Sequence, residues 1–520
     1  MVLLSPRPFV RCKIIFFSVC LVGIYILFGI SFFIPIIEGS FSLYGVAILV
    51  YFGHQLWASG VNHLAMEETA KKMSVQDSSL DVVVSPSFPS SNIVLADTIT
   101  ALLVVGYRED AEYWKQCIQS VRDHCLSDDN LHHLLIVIDG HDEEDRYMQE
   151  IACEILQHHL PTLEEVRESA SSFAFLPRIE IKSISHRGKR GCLYFGLERI
   201  RRSFRARIAD LVVVVTDSDT VLYQDSIPRL RECLFSAANI GCATGCLTIH
   251  NRSDGILPKI IESRYQYAFR IERGAASLYH CMTCCSGPLS IYRMACLDES
   301  ITKRFITQSF FDVGCEPGDD RHLTNLILSQ GYGARQTNLA VAGTEAPVTL
   351  SRFLRQQLRW SRSYYRELYW QLKSLARQSL YLGIMTIYET SFPLFVACWT
   401  LYSLFLSPYQ YHWVYGLAFS IGTAMLKSII LTLSLRPFQP WICAYQLVYF
   451  FLYFTCLLPL KFFAMITVCN NRWVTSPRQY PLASWLRDLS WDWIWILGWN
   501  VLLLCGLSYQ MFFLTLLSST

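Results

Sequence analysis

The chain has little charge for its length and no excess of either sign. Of its 520 residues 17% are charged, and 45 Lys and Arg stand against 43 Asp and Glu, so no basic surface marks it for nucleic acid. It lacks internal repeats and low-complexity tracts, which excludes a solenoid or a fibrous array. It lacks a second Cys-x-x-Cys to partner Cys281-Met-Thr-Cys284, so a four-ligand zinc cage has only half its ligands. Nineteen cysteines would suggest disulfides in a secreted chain. Here many fall in apolar runs, and the rest are expected to face a reducing compartment. The sequon Asn251-Arg252-Ser253 is expected on that same side, away from glycosylation.

What the chain has instead is hydrophobic length. Residues 14–37 carry no charged side chain and residues 41–58 follow after a short break, each long enough, or nearly so, to cross a bilayer as a helix. The length of the first core, with a second run behind it, argues against a cleaved signal peptide. Arg7, Arg11 and Lys13 precede the first run, which puts the N-terminus in the cytosol and returns the chain there after two crossings. Apolar runs resume at 384–406, 413–435, 441–469 and 491–517. The expected organisation is two transmembrane helices over 1–59, a Ser/Pro-punctuated linker over 60–97 with one amphipathic turn around Met66–Met73, a cytosolic domain over 98–350, an interfacial helix over 351–380, and a membrane or channel region over 381–520. Four full crossings after the domain would strand the basic loop 472–487 outside. Pro459 and Lys461 interrupt the third run, so that run, or its pair around Arg436-Pro437, is expected to turn back or lie at the interface, giving five or six crossings.

Within the central domain, residues 101–110, 134–140 and the segment "ADLVVVVTDSD" read as buried strands, with helical spacing over 111–125, 143–158 and 191–205. Continuous Val/Ile/Leu strands alternating with helices predict a mostly parallel sheet covered on both faces. In such sheets ligands bind beyond the carboxyl ends of the strands. Tyr107, Glu109, Asp139, Asp217 and Asp219 all fall just there.

Asp217 and Asp219 form a D-x-D turn. One carboxylate at this spacing can hold a divalent cation that bridges phosphate oxygens while its neighbour steadies the loop or a sugar hydroxyl; alone, the pattern is far more often a solvated acidic turn. Lys189 and Arg190 stand between Gly188 and Gly191, where cations and backbone could approach a diphosphate or simply begin a helix. The Gly287-Pro288 turn would let backbone come close to a ligand. Asp319 and Asp320 open a helix. One suits the macrodipole, and a second aimed into a cleft is a candidate general base. Gln356, Arg359 and Trp360 share one helical face, so an amide, a guanidinium suited to phosphate and an indole suited to a sugar ring point together. Arg352, Arg355, Arg362 and Arg366 on the same helix also suit a membrane surface.

In this order these segments resemble the processive family 2 glycosyltransferases, and "VIDG", "DSDT", "SGPLSIYR", "GDDRHLTN" and "QQLRWSRSYYRE" read nearly as class I hyaluronan synthase segments. The resemblance spans roughly residues 102–367. It implies an α/β fold of the GT-A type inserted between transmembrane helices. It implies that Tyr107, Glu109 and Asp139 hold uridine, that Lys189 and Arg190 touch the diphosphate, that Asp217 supports the nucleotide sugar, and that Asp219 binds Mn²⁺ or Mg²⁺. Asp320 would be the general base and Asp319 would orient the helix start. Gln356 and Arg359 would contact the diphosphate, Trp360 would floor the acceptor sugar, and Cys315 would line the acceptor entrance. Trp473, Thr475, Ser476 and Arg478 match the family's W-G-T-S-G-R loop over the nucleotide, within residues 470–480. Two departures stand out. His186 replaces the Trp of the family's W-G-G-K-R segment, and Val474 and Pro477 replace both glycines of the loop.

The implied activity is an inverting, processive transfer from UDP-glucuronate and UDP-N-acetylglucosamine to a growing polysaccharide exported across the bilayer, with the protein multi-pass in the plasma membrane. A single-donor, chitin-type synthase and a membrane scaffold that binds UDP-sugar without turnover remain open.

Overall fold

The computed structural model describes residues 43–76, 98–157, 177–407, 412–434, 439–470 and 491–518. The chain divides into two compact units. One holds residues 58–251 and 268–346, and the other holds the residues before 58 together with 252–267 and those from 347 onward.

The first unit is built on an eight-stranded sheet, counted among the described residues, in the order β3-β2-β1-β4-β7-β6-β10-β5. Its strands are β1 Ile99–Gly106, β2 Leu131–Asp139, β3 Arg178–Ile184, β4 Leu211–Asp217, β5 Val221–Leu222, β6 Ile240–Ile249, β7 Ser290–Arg293 and β10 Gly333–Thr344. β8 Ser309–Phe310 and β9 Val313–Gly314 form a separate two-stranded ribbon. β1 runs parallel to β2 and β4, β2 to β3, and β6 to β10. β7 is antiparallel to both of its neighbours. This is the mostly parallel α/β sheet expected. Every residue of β1 is buried, as a strand covered on both faces requires.

The parallel register carries function, because it ends neighbouring strands at one edge. Val105 of β1 pairs with Asp217 of β4, and Gly106 of β1 with Ile138 of β2. Tyr107, Asp139 and Asp217 therefore leave the sheet on the same side.

The expected linker is corrected in its first half. Residues 60–76 continue the helix Leu43–Gln76, and only residues beyond Gln76 fall outside the described chain. The reason is a polar seat within this unit. Asn62, 1% exposed, donates to the Gln336 carbonyl and accepts from Ser277 and Arg335, while Ala58, Met66 and Ala70 are buried beside it. A buried amide with its donor and acceptor capacity used fixes a helix that periodicity alone does not announce.

In the second unit, four helical runs are long and apolar enough to cross a membrane: Leu380–Leu406, His412–Leu433, Trp441–Ile466 and Trp493–Phe512. Of the alternatives expected there, a reversal of the chain at Pro459 is not present, since Trp441–Ile466 continues as one helical run; Arg436-Pro437 lies outside the described residues. A π-helical turn over Tyr453–Leu457 places Pro459 in the first turn of the segment that follows, where a missing N–H and a fixed φ cost nothing. The apolar run expected over 14–37 lies outside the described residues. Residues 252–267, expected in the catalytic domain, instead belong to this unit, where the Arg264 guanidinium lies 6.0 Å from the Tyr449 ring centre.

The expected interfacial helix is Leu350–Leu375. Arg362 and Arg366 are not surface cations. Both are buried, with Arg362 Nε donating to Thr467 Oγ1 at 2.9 Å and Arg366 Nη1 to the Val468 carbonyl at 3.4 Å. Trp360, by contrast, is 39% exposed.

Candidate active site

β4 delivers Asp217 as its last residue, and the chain then turns through Ser218 and Asp219. Opposite it, the helix Gly188–Ser203 carries Lys189 in its first turn. Lys189 Nζ lies 2.6 Å from Asp217 Oδ1 and 3.6 Å from Asp319 Oδ2, so one ammonium ties the end of β4 to the start of the helix Asp319–Gln330. Burial alone would lower the Lys189 proton affinity, but Asp217 and Asp319 outweigh it and hold it above the ordinary value. The Asp217 carboxyl is raised by burial and drawn back by Lys189, and repulsion from Asp319 and Asp320 keeps it on the raised side.

Gly287 closes over this pair. A Cβ there would sit 2.8 Å from Lys189 Nζ and 3.0 Å from Asp217 Oδ2, so the Gly287-Pro288 turn brings bare backbone against the two charges. Thr216 Oγ1 donates to the Pro288 carbonyl at 2.9 Å and fixes the turn.

Asp219 stands among like charges. Burial and repulsion from Glu109, Asp217 and Glu345 push its carboxyl well up, with Lys189 the opposing influence. Glu109 faces this turn rather than Asp139, because Ser218 Oγ donates to Glu109 Oε2 at 2.9 Å. Crowded, half-buried carboxylates short of positive charge are the donor set a divalent cation satisfies. Among the described residues no three His, Cys, Asp or Glu side chains converge as a complete cage. This donor set fits a hard cation that takes its other ligands from diphosphate oxygens and water.

The two adjacent carboxylates at the helix start diverge. Gly318, with φ 92°, makes the left-handed bend that begins the helix. Asp319 is 5% exposed and turns toward Lys189. Asp320 is half-buried; its Oδ2 accepts from Cys284 Sγ at 3.3 Å and its Oδ1 from the Arg321 backbone N–H at 2.7 Å.

A second cluster lies at the ends of β1 and β2. Asp139 is 1% exposed. Its Oδ1 accepts from the Arg187 N–H at 2.7 Å and its Oδ2 lies 2.9 Å from His186 Nδ1. The His186 ring stacks on Tyr107 with centroids 4.6 Å apart. An aromatic face beside a buried carboxylate is the chemistry that seats a heteroaromatic base.

Other expected residues have different neighbours. Arg190 turns toward Phe305 while Lys189 turns toward Asp217. Arg190 is 3% exposed, its guanidinium lies over the Phe305 ring at 4.8 Å, and Nη1 donates to the Phe305 carbonyl at 2.9 Å. Cys315, expected at an entrance, is 4% exposed with its thiol toward the Val313 carbonyl. Gln356, Arg359 and Trp360 share a face of a helix in the other unit. Trp473, Thr475, Ser476 and Arg478 lie outside the described residues. Sequence reasoning did not name Ser218 or Glu345, read Cys284 only as half of a Cys-x-x-Cys pair, and gave His186 no site role. Cys284 and His186 did carry a signal, the one in that pair and the other as the departure from the family's Trp.

A family profile described as "Glycosyltransferase like family 2" matches residues 161–363. The chain is 31% identical over 431 residues to hyaluronan synthase 3 of Xenopus laevis, covering 78% of this chain and 72% of that one. It is 30% identical over 433 residues to human (Homo sapiens) hyaluronan synthase 2, covering 79% and 75%. Among solved structures, a mannosyltransferase from Pyrobaculum calidifontis in complex with GDP-Man and Mn²⁺ aligns over 78% of this chain and 97% of its own, at 14% identity and a TM-score of 0.41. On the two curated relatives, the chain belongs to the hyaluronan synthase-like family 2 glycosyltransferases.

Proposed function

We propose that this enzyme alternately transfers glucuronate and N-acetylglucosamine from their UDP carriers to a growing hyaluronan chain, processively and with inversion, and passes the polymer through its own membrane helices. The observation that carries the reading is the cluster at Lys189, with Asp217 and Asp319 on the ammonium and the half-buried Asp320 beside them.

The acceptor hydroxyl gives its proton to the Asp320 carboxylate while its oxygen bonds to the anomeric carbon. On the opposite face the bond from that carbon to the diphosphate oxygen breaks, and UDP leaves with the electron pair, so the configuration inverts. Lys189 stands where it can meet charge developing on the diphosphate. Tyr107 and Asp139 offer a ring face and a carboxylate to the uracil and ribose, and Asp217 steadies the nucleotide sugar. Asp219 would hold Mn²⁺ or Mg²⁺, which supplies Lewis-acid neutralisation of the leaving diphosphate. Gln356 and Arg359 are assigned to the diphosphate and Trp360 to the acceptor ring. Trp473, Thr475 and Arg478 are assigned to closure over the nucleotide.

A polar glycan cannot enter hydrocarbon unaided, which is why polymerisation is assigned to the same chain as the membrane helices. The Arg and Lys before the first apolar run support a cytosolic catalytic unit, and the polymer's exit supports the plasma membrane. Incubating membranes with each labelled donor singly and together, followed by hyaluronidase or chitinase, tests the reading. Hyaluronidase-sensitive polymer made only from both donors is expected. Polymer from one donor would point to a chitin-type synthase, and UDP binding with no polymer to a scaffold.

A further inference from the structure

The Asp320 carboxyl stands beside a thiol. Cys284 is 8% exposed, and its Sγ–H points to Asp320 Oδ2 at 3.3 Å. The other carboxylate oxygen accepts from the Arg321 N–H at 2.7 Å. Each oxygen thus has one donor, and the plane of the carboxylate is set from both sides.

The thiol is held in place by contacts that do not involve its sulfur. Cys285 N–H donates to Thr324 Oγ1 at 2.9 Å, and that hydroxyl donates in turn to the Asp320 carbonyl at 2.8 Å. Arg321 Nη1 donates to Thr283 Oγ1 at 3.2 Å. The segment 283–285 is therefore clasped to the first turn of the helix Asp319–Gln330 at positions on either side of Cys284. Removing the sulfur leaves the clasp intact.

We propose that Cys284 is a positioning residue for the base, holding the Asp320 carboxylate toward the acceptor hydroxyl through a weak S–H donor. The inference rests on the reading of Asp320 as the base in the proposed function. Burial, reinforced by the Asp320 charge, pushes the Cys284 thiol up to about 12, so the sulfur keeps its proton and remains a donor. Weakness is the useful property. A strong donor fixes a carboxylate but also stabilises its charge and lowers its appetite for a proton, whereas a thiol is among the weakest donors in the side-chain inventory. Asp319, one residue earlier, lies 3.6 Å from an ammonium and is correspondingly suited to structure rather than proton transfer. Two adjacent carboxylates thus divide their roles by their partners, a cation for one and a thiol for the other.

The test uses the full chain in lipid nanodiscs, with Cys284→Ala, Cys284→Ser and Asp320→Asn beside the wild type. Polymerisation rates are measured with both donors, and UDP affinity by calorimetry. Cys284→Ala should lower kcat about tenfold, the scale of one lost orienting hydrogen bond, with donor KM and UDP affinity within about twofold of wild type. Cys284→Ser, which restores a donor, should recover most of that loss. A Cys284→Ala enzyme at full rate overturns the proposal. So does a loss that appears equally in UDP affinity, or one that serine does not rescue, because each marks a packing role. If Asp320→Asn retains activity, the base assignment itself falls and the inference with it. An inactive Asp320→Asn beside a fully active Cys284→Ala overturns the inference alone.

Discussion

Lys189 and Asp217 stand 2.6 Å apart, joining the first turn of a helix to the last residue of a buried strand. Asp319 approaches the same ammonium at 3.6 Å, so removing the lysine would leave two carboxylates facing one another without a cation. Lys189→Ala is expected to destabilise this unit by about 2 kcal/mol, below the scale for a fully buried broken pair because both side chains are 23% exposed. It should also lower kcat/KM by about a hundredfold. Adding Asp217→Asn should restore much of the stability and none of the activity, as thermal unfolding and polymer assays on the single and double variants would reveal.

Gly287 gives a finer probe of the same pair. Its missing Cβ would lie 2.8 Å from Lys189 Nζ, and because a lysine tip is flexible the substitution Gly287→Ala should fold. The displaced ammonium should raise donor KM by roughly tenfold. An unchanged KM would mean that the ammonium does not meet the donor.

Asp320→Asn should abolish polymer, a loss of about a hundredfold or more in kcat, while UDP binding persists. Asp219→Ala should behave differently, weakening UDP binding only when Mn²⁺ or Mg²⁺ is present. Titrating UDP into each variant with and without chelator separates the two roles. Equal affinity for wild type and Asp219→Ala in the presence of metal would remove Asp219 from the cation.

Burial, with the Arg335 charge assisting, lowers the His280 pKa from 6.5 to about 4. The folded state therefore resists a proton that the unfolded chain accepts below 6.5, and stability should fall as the pH drops from 6.5 toward 4. Solvent screening limits the loss to roughly 1–2 kcal/mol. His280→Asn, tolerated at its left-handed φ of 55°, should flatten this dependence. Melting temperatures of both proteins across that pH range provide the check.

The strands over residues 101–106, 134–139 and 211–217 were legible because runs of Val, Ile and Leu have few other places to go than a sheet covered on both faces. Tyr107, Asp139, Asp217 and Asp219 followed from their position past strand ends, and Asp319 and Asp320 from the helix pattern behind them. The four apolar helical runs among the described residues were legible from length alone. Periodicity announced no more than one turn around Met66–Met73 where residues 60–76 are helical throughout, since Asn62 owes its place to Ser277, Arg335 and Gln336, more than two hundred positions away. It likewise gave no warning that Arg190 turns to Phe305 while its neighbour Lys189 turns to Asp217.

Sequence by itself determined which residue types exist in which order, and hence the sheet, the membrane-length helices and the pool of carboxylates. Tertiary structure alone decided which carboxylate meets which partner: an ammonium for Asp319, a thiol for Asp320, a histidine for Asp139, and other acids for Asp219. The physical reason is range. Propensity and periodicity act over a few residues, whereas charge, burial and hydrogen bonding act across whatever distance in the chain the fold has closed.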